Sequence, residues 1–167
     1  LGTAQDGPSH AEILTALANP NNHVVVNLVG LPLQDRPSFF LTLLPKLQEL
    51  RSKSGRPHWM LVDETHHLLP VDGNPTTPGL MKDLAGMIYV TVHPDHIEHS
   101  ILKTVDIVFA LGKSPDETLK QYCAAIQQPA PAATAARLQP GRAIMWNRAS
   151  GETPFVLEIA PSTIERR

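Results

Sequence analysis

Cysteine is nearly absent, with Cys123 alone among 167 residues. A single cysteine excludes an internal disulfide and a zinc site built on cysteines, and it fits a reducing, cytoplasmic compartment. No apolar run approaches the roughly 18 residues that a membrane span needs. Neither sign of charge dominates: 14 Lys and Arg face 16 Asp and Glu, a formal charge of −2. That balance argues against a dedicated nucleic-acid binder and leaves room only for a local basic patch. The first ten residues carry neither a signal peptide nor a transit peptide. They also lack an initiator Met, so the expectation is a piece of a longer protein. No G-x-S-x-G elbow and no dinucleotide-binding glycine fingerprint occurs.

Hydrophobic residues at 42% and charged residues at 18% describe a globular chain. Sixteen prolines cut it into short elements and exclude a long helical bundle. Ser9 to Glu12 has capping-box spacing ahead of Ile13, Leu14 and Leu17, which predicts a helix over 9–18. The run from His23 to Val29 is β-branched and short, and reads as a buried strand. Asp35 and Pro37 open a helix with Phe40, Leu43, Leu44, Leu47 and Leu50 on one face, which Pro45 should kink and Gly55 should stop. Strands follow at 59–62, 87–92 and 106–111. Helices are expected at 80–84, from Asp95 to Lys103 and from Ser114 to Gln127, with a loop over 71–79. Ala149-Ser150-Gly151 joins strands at 142–147 and 154–159 as a hairpin.

Strand and helix alternate, which predicts an α/β fold with a mainly parallel sheet in three layers. We read one partial domain: a βα core over 1–127, a Pro/Ala-rich connector over 128–141 and a hairpin over 142–160 that extends the same sheet.

The sharpest local signal is Trp59-Met60-Leu61-Val62-Asp63-Glu64. An apolar strand delivers two adjacent acids at its carboxyl end, where open α/β sheets bind ligands. Four apolar residues followed by Asp-Glu match the Walker B pattern, in which the Asp holds magnesium and the Glu orients the attacking water. The alternative is a strand end whose acids cap the next turn. His93 closes the strand Tyr89 to Val92 and could stand beside those acids. His66, His67, His96 and His99 form a wider set. His96 and His99 would be neighbours on a helix, and with Asp63 such a set could hold zinc or iron, though no HExxH signature is present. Surface or interface histidines are the competing account.

Gly112-Lys113-Ser114 imitates a P-loop, but the required earlier glycine is Ile107. Asp116 and Glu117 in the first turn of the next helix would also repel phosphate. Cys123 lies mid-helix among Leu119, Tyr122 and Ile126 and reads as core.

Taken in order, these segments resemble the C-terminal part of a HerA/FtsK-type P-loop ATPase domain of the RecA-like class. The residues that carry the resemblance are Val24 to Leu28, Asp35-Arg36-Pro37, Leu47 to Arg51, Gly55 to Trp59, Leu61 to Pro70, Thr91 to Pro94 and Val105 to Val108. It spans Val24 to Gly112, with a tail at Pro140 to Ala143. The run Asp63-Glu64-Thr65-His66-His67-Leu68-Leu69-Pro70 looks most like a bacterial subgroup fused to an N-terminal HAD-type phosphatase domain, the phosphoglycolate phosphatase-like hydrolases. The resemblance implies Asp63 as the magnesium-linked acid, Glu64 as the catalytic acid and His93 at a polar sensor position where relatives often carry Gln. Arg142 is an arginine-finger candidate by rough position. It implies Mg2+ and ATP as cofactors of the intact parent, none of them tightly bound here. The implied partners are an upstream segment of the same protein and other copies in a ring, with nucleic acid by analogy only.

No Walker A loop occurs in the 167 residues. The family places it on a strand between those expected here at 87–92 and 106–111. A sheet without it leaves two edges to pair with each other or with another chain. The alternatives to an ATPase fragment are a non-catalytic binding or scaffold module of the same fold, and a His-rich metal-dependent hydrolase.

Overall fold

A computed structural model describes residues 1–56, 58–72, 85–132 and 137–160. The expected helix over 80–84, most of the loop over 71–79 and part of the Pro/Ala-rich connector lie outside them. The chain forms two compact units, Leu1–Glu98 and His99–Arg167.

In the first unit, Ser9 caps helix α1 (His10–Ala18) in a complete capping box with Glu12. Helix α2 (Arg36–Ser54) runs through Pro45 and ends at Gly55, whose φ of 64° supplies the left-handed cap. Its buried face is Phe40, Leu43, Leu44 and Leu47, as the spacing predicts. Leu43 and Leu47 join Ile13 in a core against which Leu14, Leu17, Val26, Phe39 and Met60 pack.

Strands β1 (Met60–Val62) and β2 (Met87–Tyr89) pair in parallel, with Met60 opposite Met87 and Val62 opposite Tyr89. The ladder continues past both strands: Val90 N–H donates to Val62 O and Thr65 N–H to Val90 O. At the other end, the Arg51 guanidinium donates to the carbonyls of His58 and Ala85, just ahead of the two strands. Gly86 is required here, because it has φ 73° and a Cβ would come within 3.2 Å of His58 O.

Two expectations need correction. The run from His23 to Val29 belongs to no strand among the described residues, and Val29 already lies in a turn. β-branched residues favour strands, yet a ladder needs a partner edge. Val24, Val26 and Leu28 are half-buried while Val25 and Val29 are exposed, so strand-like alternation survives without strand pairing. Second, the strand at 59–62 is not buried on both faces. Met60 and Val62 turn inward, whereas Trp59 and Leu61 are 77% and 65% exposed. Ile88, beside Leu61 in register, and Val90 are 42% exposed on the same side. A parallel sheet is normally covered on both faces, and among the described residues helices α1 and α2 cover one.

In the second unit, helix α3 (His99–Leu102) leads to strand β3 (Ile107–Ala110) and helix α4 (Pro115–Ala125). Strands β4 (Arg142–Asn147) and β5 (Phe155–Glu158) form the expected hairpin, but among the described residues it does not extend the parallel sheet as expected: β4 pairs antiparallel with β3 in a three-stranded sheet separate from β1 and β2. Ala110, Leu119 and Ile144 make the core, flanked by Val108, Leu138 and Trp146. Arg148, which the sequence did not single out, ties this unit together. It donates to Val105 O at 2.5 Å, Tyr122 Oη at 3.0 Å and Gln128 Oε1 at 3.2 Å, with its guanidinium 5.6 Å from the centre of the Tyr122 ring. Tyr122 in turn donates to Leu102 O at 2.8 Å.

The architecture is therefore mixed α/β, with a parallel pair and a three-stranded antiparallel sheet. Among the described residues β2 pairs only with β1 and β3 only with β4. No helix among the described residues is long and apolar enough to cross a membrane.

Replacing Arg148 with Ala removes charge-assisted bonds to a backbone carbonyl and a buried hydroxyl. We expect about 2 kcal/mol or more of lost stability, read as a lower urea midpoint in circular dichroism.

Candidate functional site

The site grows out of the carboxyl end of β1. Val62 is buried, and the next two residues are the exposed acids Asp63 and Glu64. The chain must then turn sharply, and Thr65 enforces the turn. It is fully buried, its hydroxyl donates to Val62 O at 2.7 Å, and its carbonyl receives the N–H groups of Leu68 and Leu69. A short 3-10 turn, Thr65–His67, follows.

Glu64 meets this constraint in the left-handed region, at φ 48° and ψ 47°. A non-glycine residue there costs on the order of 1 kcal/mol or more and clusters at functional positions. Its N–H is held by Asp63 Oδ1 at 2.9 Å. The two acids thus leave the strand as one unit: the first carboxylate fixes the backbone that presents the second, and both face solvent.

Beyond Glu64 the side chains are imidazoles. His66 Nε2 lies 3.5 Å from Glu64 Oε2, and His66 Nδ1 is 3.0 Å from Thr91 Oγ1. That hydroxyl also accepts the His93 N–H at 3.0 Å, so Thr91, just past β2, braces both histidines. Ring contacts link His67 to His66 (4.2 Å between centroids), His66 to His93 (5.3 Å) and His93 to His96 (4.9 Å). Burial is the main influence holding the His66 pKa below its ordinary value, with His67 next, while the Glu64 carboxylate pulls it up.

Asp63, Glu64 and His93 therefore stand at the same edge of the parallel pair, joined through His66. The expected helix neighbours His96 and His99 do not share a helix. Pro94–His96 is a 3-10 turn, Ile97 is extended at ψ 143°, and His99 belongs to the second unit. Pro94 starts the break, since its ring fixes the turn. Arg142 is exposed on β4. Gly112 sits in an open turn at φ 93°, the strand-to-helix turn that the sequence suggests. Cys123 is buried. Burial pushes its thiol pKa up, although Arg148, a cation the sequence did not place beside it, pulls the other way. Thr65 and Thr91 were missed as supporting residues, because a threonine at a strand end is common and only the ladder register reveals what it faces.

By sequence, the chain matches no family model and no curated protein. Its structure is similar to the genome packaging NTPase B204 from Sulfolobus turreted icosahedral virus 2 in complex with AMPPCP. The TM-score is 0.56 at 15% identity, over 77% of this chain and 64% of that one. The same NTPase in complex with ATP-gammaS gives a TM-score of 0.53 at 16% identity, over 75% and 65%. The fold is thus similar to that of this NTPase, consistent with a RecA-like arrangement, and the chain spans about 64% of the length of the AMPPCP-bound neighbour.

The backbone strain at residue 64 is separable from its carboxylate. Glu64→Gly should be more stable than Glu64→Ala by about 1 kcal/mol, because only glycine adopts that φ without cost. Paired thermal denaturation of the two variants checks this, and equal midpoints would contradict it.

Proposed function

We propose that this chain is the Walker B portion of a HerA/FtsK-type ATPase domain, with Asp63 as the magnesium-linked acid and Glu64 as the group that orients the attacking water. The observation that carries this reading is the pair of exposed carboxylates at the carboxyl end of a parallel strand, in the fold of an NTPase. That its structural neighbour binds ATP analogues and packages a genome supports ATP as substrate and movement of a polymer as the coupled work.

Asp63 fits the ion. Its carboxylate is hard, exposed and anchored through Oδ1 to the next N–H, which suits a Mg2+ held mainly through water. Bound Mg-ATP supplies the phosphate to be transferred and a cation that neutralises its charge. Glu64, presented by the strained turn, accepts the proton side of a water. His93 is the polar residue at the same edge for the sensor position.

Phosphate anchoring requires a loop of backbone N–H groups and a Lys, and no G-x-x-x-x-G-K-[ST] occurs in the sequence. We assign that part to a β-strand and helix from elsewhere in the parent or from another copy. The edge of β2 that is unpaired among the described residues would take the strand, and the apolar face of Trp59, Leu61, Ile88 and Val90 would take the helix. The parent is then a cytoplasmic, ring-forming bacterial ATPase joined to a HAD-type phosphatase domain, a reading supported by the Asp63–Pro70 run.

Alone, the chain should show no micromolar Mg-ATP binding in calorimetry, and such binding would overturn its dependence on an outside loop. Joined to a P-loop βα unit, it should hydrolyse ATP. Glu64→Gln should then lower kcat by about 100-fold or more while nucleotide binding persists. Hydrolysis that survives Glu64→Gln at the wild-type rate would remove Glu64 from the reaction.

A further inference from the structure

Beyond the nucleotide site, we propose that Glu64, His66 and His67 form a binding site for a first-row transition-metal dication of the zinc type, distinct in chemistry from the magnesium assigned to Asp63. One ligand atom from each of the three residues lies within 4.8 Å of the other two. His66 Nε2 and Glu64 Oε2 are 3.5 Å apart. Two ligands of one tetrahedral ion, with bonds of roughly 2.1 Å, stand about 3.4 Å apart. That edge of a coordination polyhedron is already set, and closing the site needs only His67, an exposed side chain on the same short turn.

Thr91 provides the outer support that metal-binding imidazoles use. Its hydroxyl faces His66 Nδ1 at 3.0 Å. When Nδ1 carries the proton and donates it to Thr91 Oγ1, Nε2 presents a lone pair toward the Glu64 carboxylate. A lone pair facing a carboxylate is repulsive unless a cation lies between them. His66 is held for this task, with its side chain only 9% exposed, while Glu64 at 57% leaves an entry path from solvent. Two imidazoles and a carboxylate favour zinc, cobalt or nickel over magnesium, which prefers oxygen alone. His93 and His96 stack just beyond this set, so further nitrogen donors are close by. A metal so bound would occupy Glu64 and withdraw it from water activation. That consequence rests on the ATPase reading, whereas the binding itself does not.

The test uses the chain after treatment with chelator, with no nucleotide present. Zn2+ is followed by calorimetry, and Co2+ by the visible absorption of its tetrahedral complex. One equivalent should bind saturably, and excess Mg2+ should leave it in place. Glu64→Gln and His67→Gln, both at exposed positions, should each weaken binding at least about tenfold, and Thr91→Val by about 10- to 100-fold. His23→Gln, an exposed histidine outside the set, should leave it unchanged. Absence of saturable binding, wild-type affinity in Glu64→Gln and His67→Gln, or an equal loss in His23→Gln would each overturn the site. Circular dichroism of each variant establishes that the fold is retained. Because no ATP enters the assay, failure of the metal site and failure of the ATPase reading are read separately.

Discussion

The register of the parallel pair β1–β2 is the constraint on which the candidate site depends. With Val62 opposite Tyr89, the ladder hands on from Val62 to Val90 and from Val90 to Thr65. That hand-over brings the turn after Glu64 against the segment holding Thr91 and His93. A slip of β1 by one residue would invert its faces, turning Val62 outward and separating His66 from Thr91. Arg51 guards the register from the opposite end, where one guanidinium reaches the carbonyls before both strands. Partial burial beside these carbonyls lowers its guanidinium pKa.

The same pair is covered unevenly. Helices α1 and α2 cover one face through Ile13, Leu43, Leu47 and Met60. Trp59 and Leu61 remain in solvent on the other. A continuous apolar run such as Trp59 to Val62 suits a strand buried on both faces, and leaving large side chains exposed costs about 1.5–3 kcal/mol each relative to burial. In the second unit Ile107 and Phe109 of β3 are likewise exposed at alternate positions, on one face of the strand. Each unit holds together by its own core and its own arginine, Arg51 in the first and Arg148 in the second.

Around the acids, strain and proximity converge on a few residues. Glu64 occupies a backbone region that glycine would fill more cheaply, and its side chain emerges beside four imidazoles in mutual ring contact. Buried Thr65 over-determines the turn, so the strain persists instead of relaxing. The arrangement offers two kinds of ligand chemistry within one turn of chain: hard oxygen at Asp63, and mixed oxygen and nitrogen at Glu64, His66 and His67.

By itself the sequence determined the local elements whose causes are local. The capping box at Ser9, the left-handed stop at Gly55, the apolar stripe of α2 and the hairpin around Ala149-Ser150-Gly151 all follow from neighbours a few residues away. So does the exit of Asp63 and Glu64 from an apolar strand, and with it the α/β class. The rest waited for tertiary structure, because it turns on which edges and faces find partners. Residues 23–29 have strand chemistry but no ladder, Trp59 has strand position but no cover, and His96 and His99 have helical spacing but an extended Ile97 between them. The union of His66 with Thr91 and His93 spans more than twenty residues of chain, and only the parallel register brings them within reach.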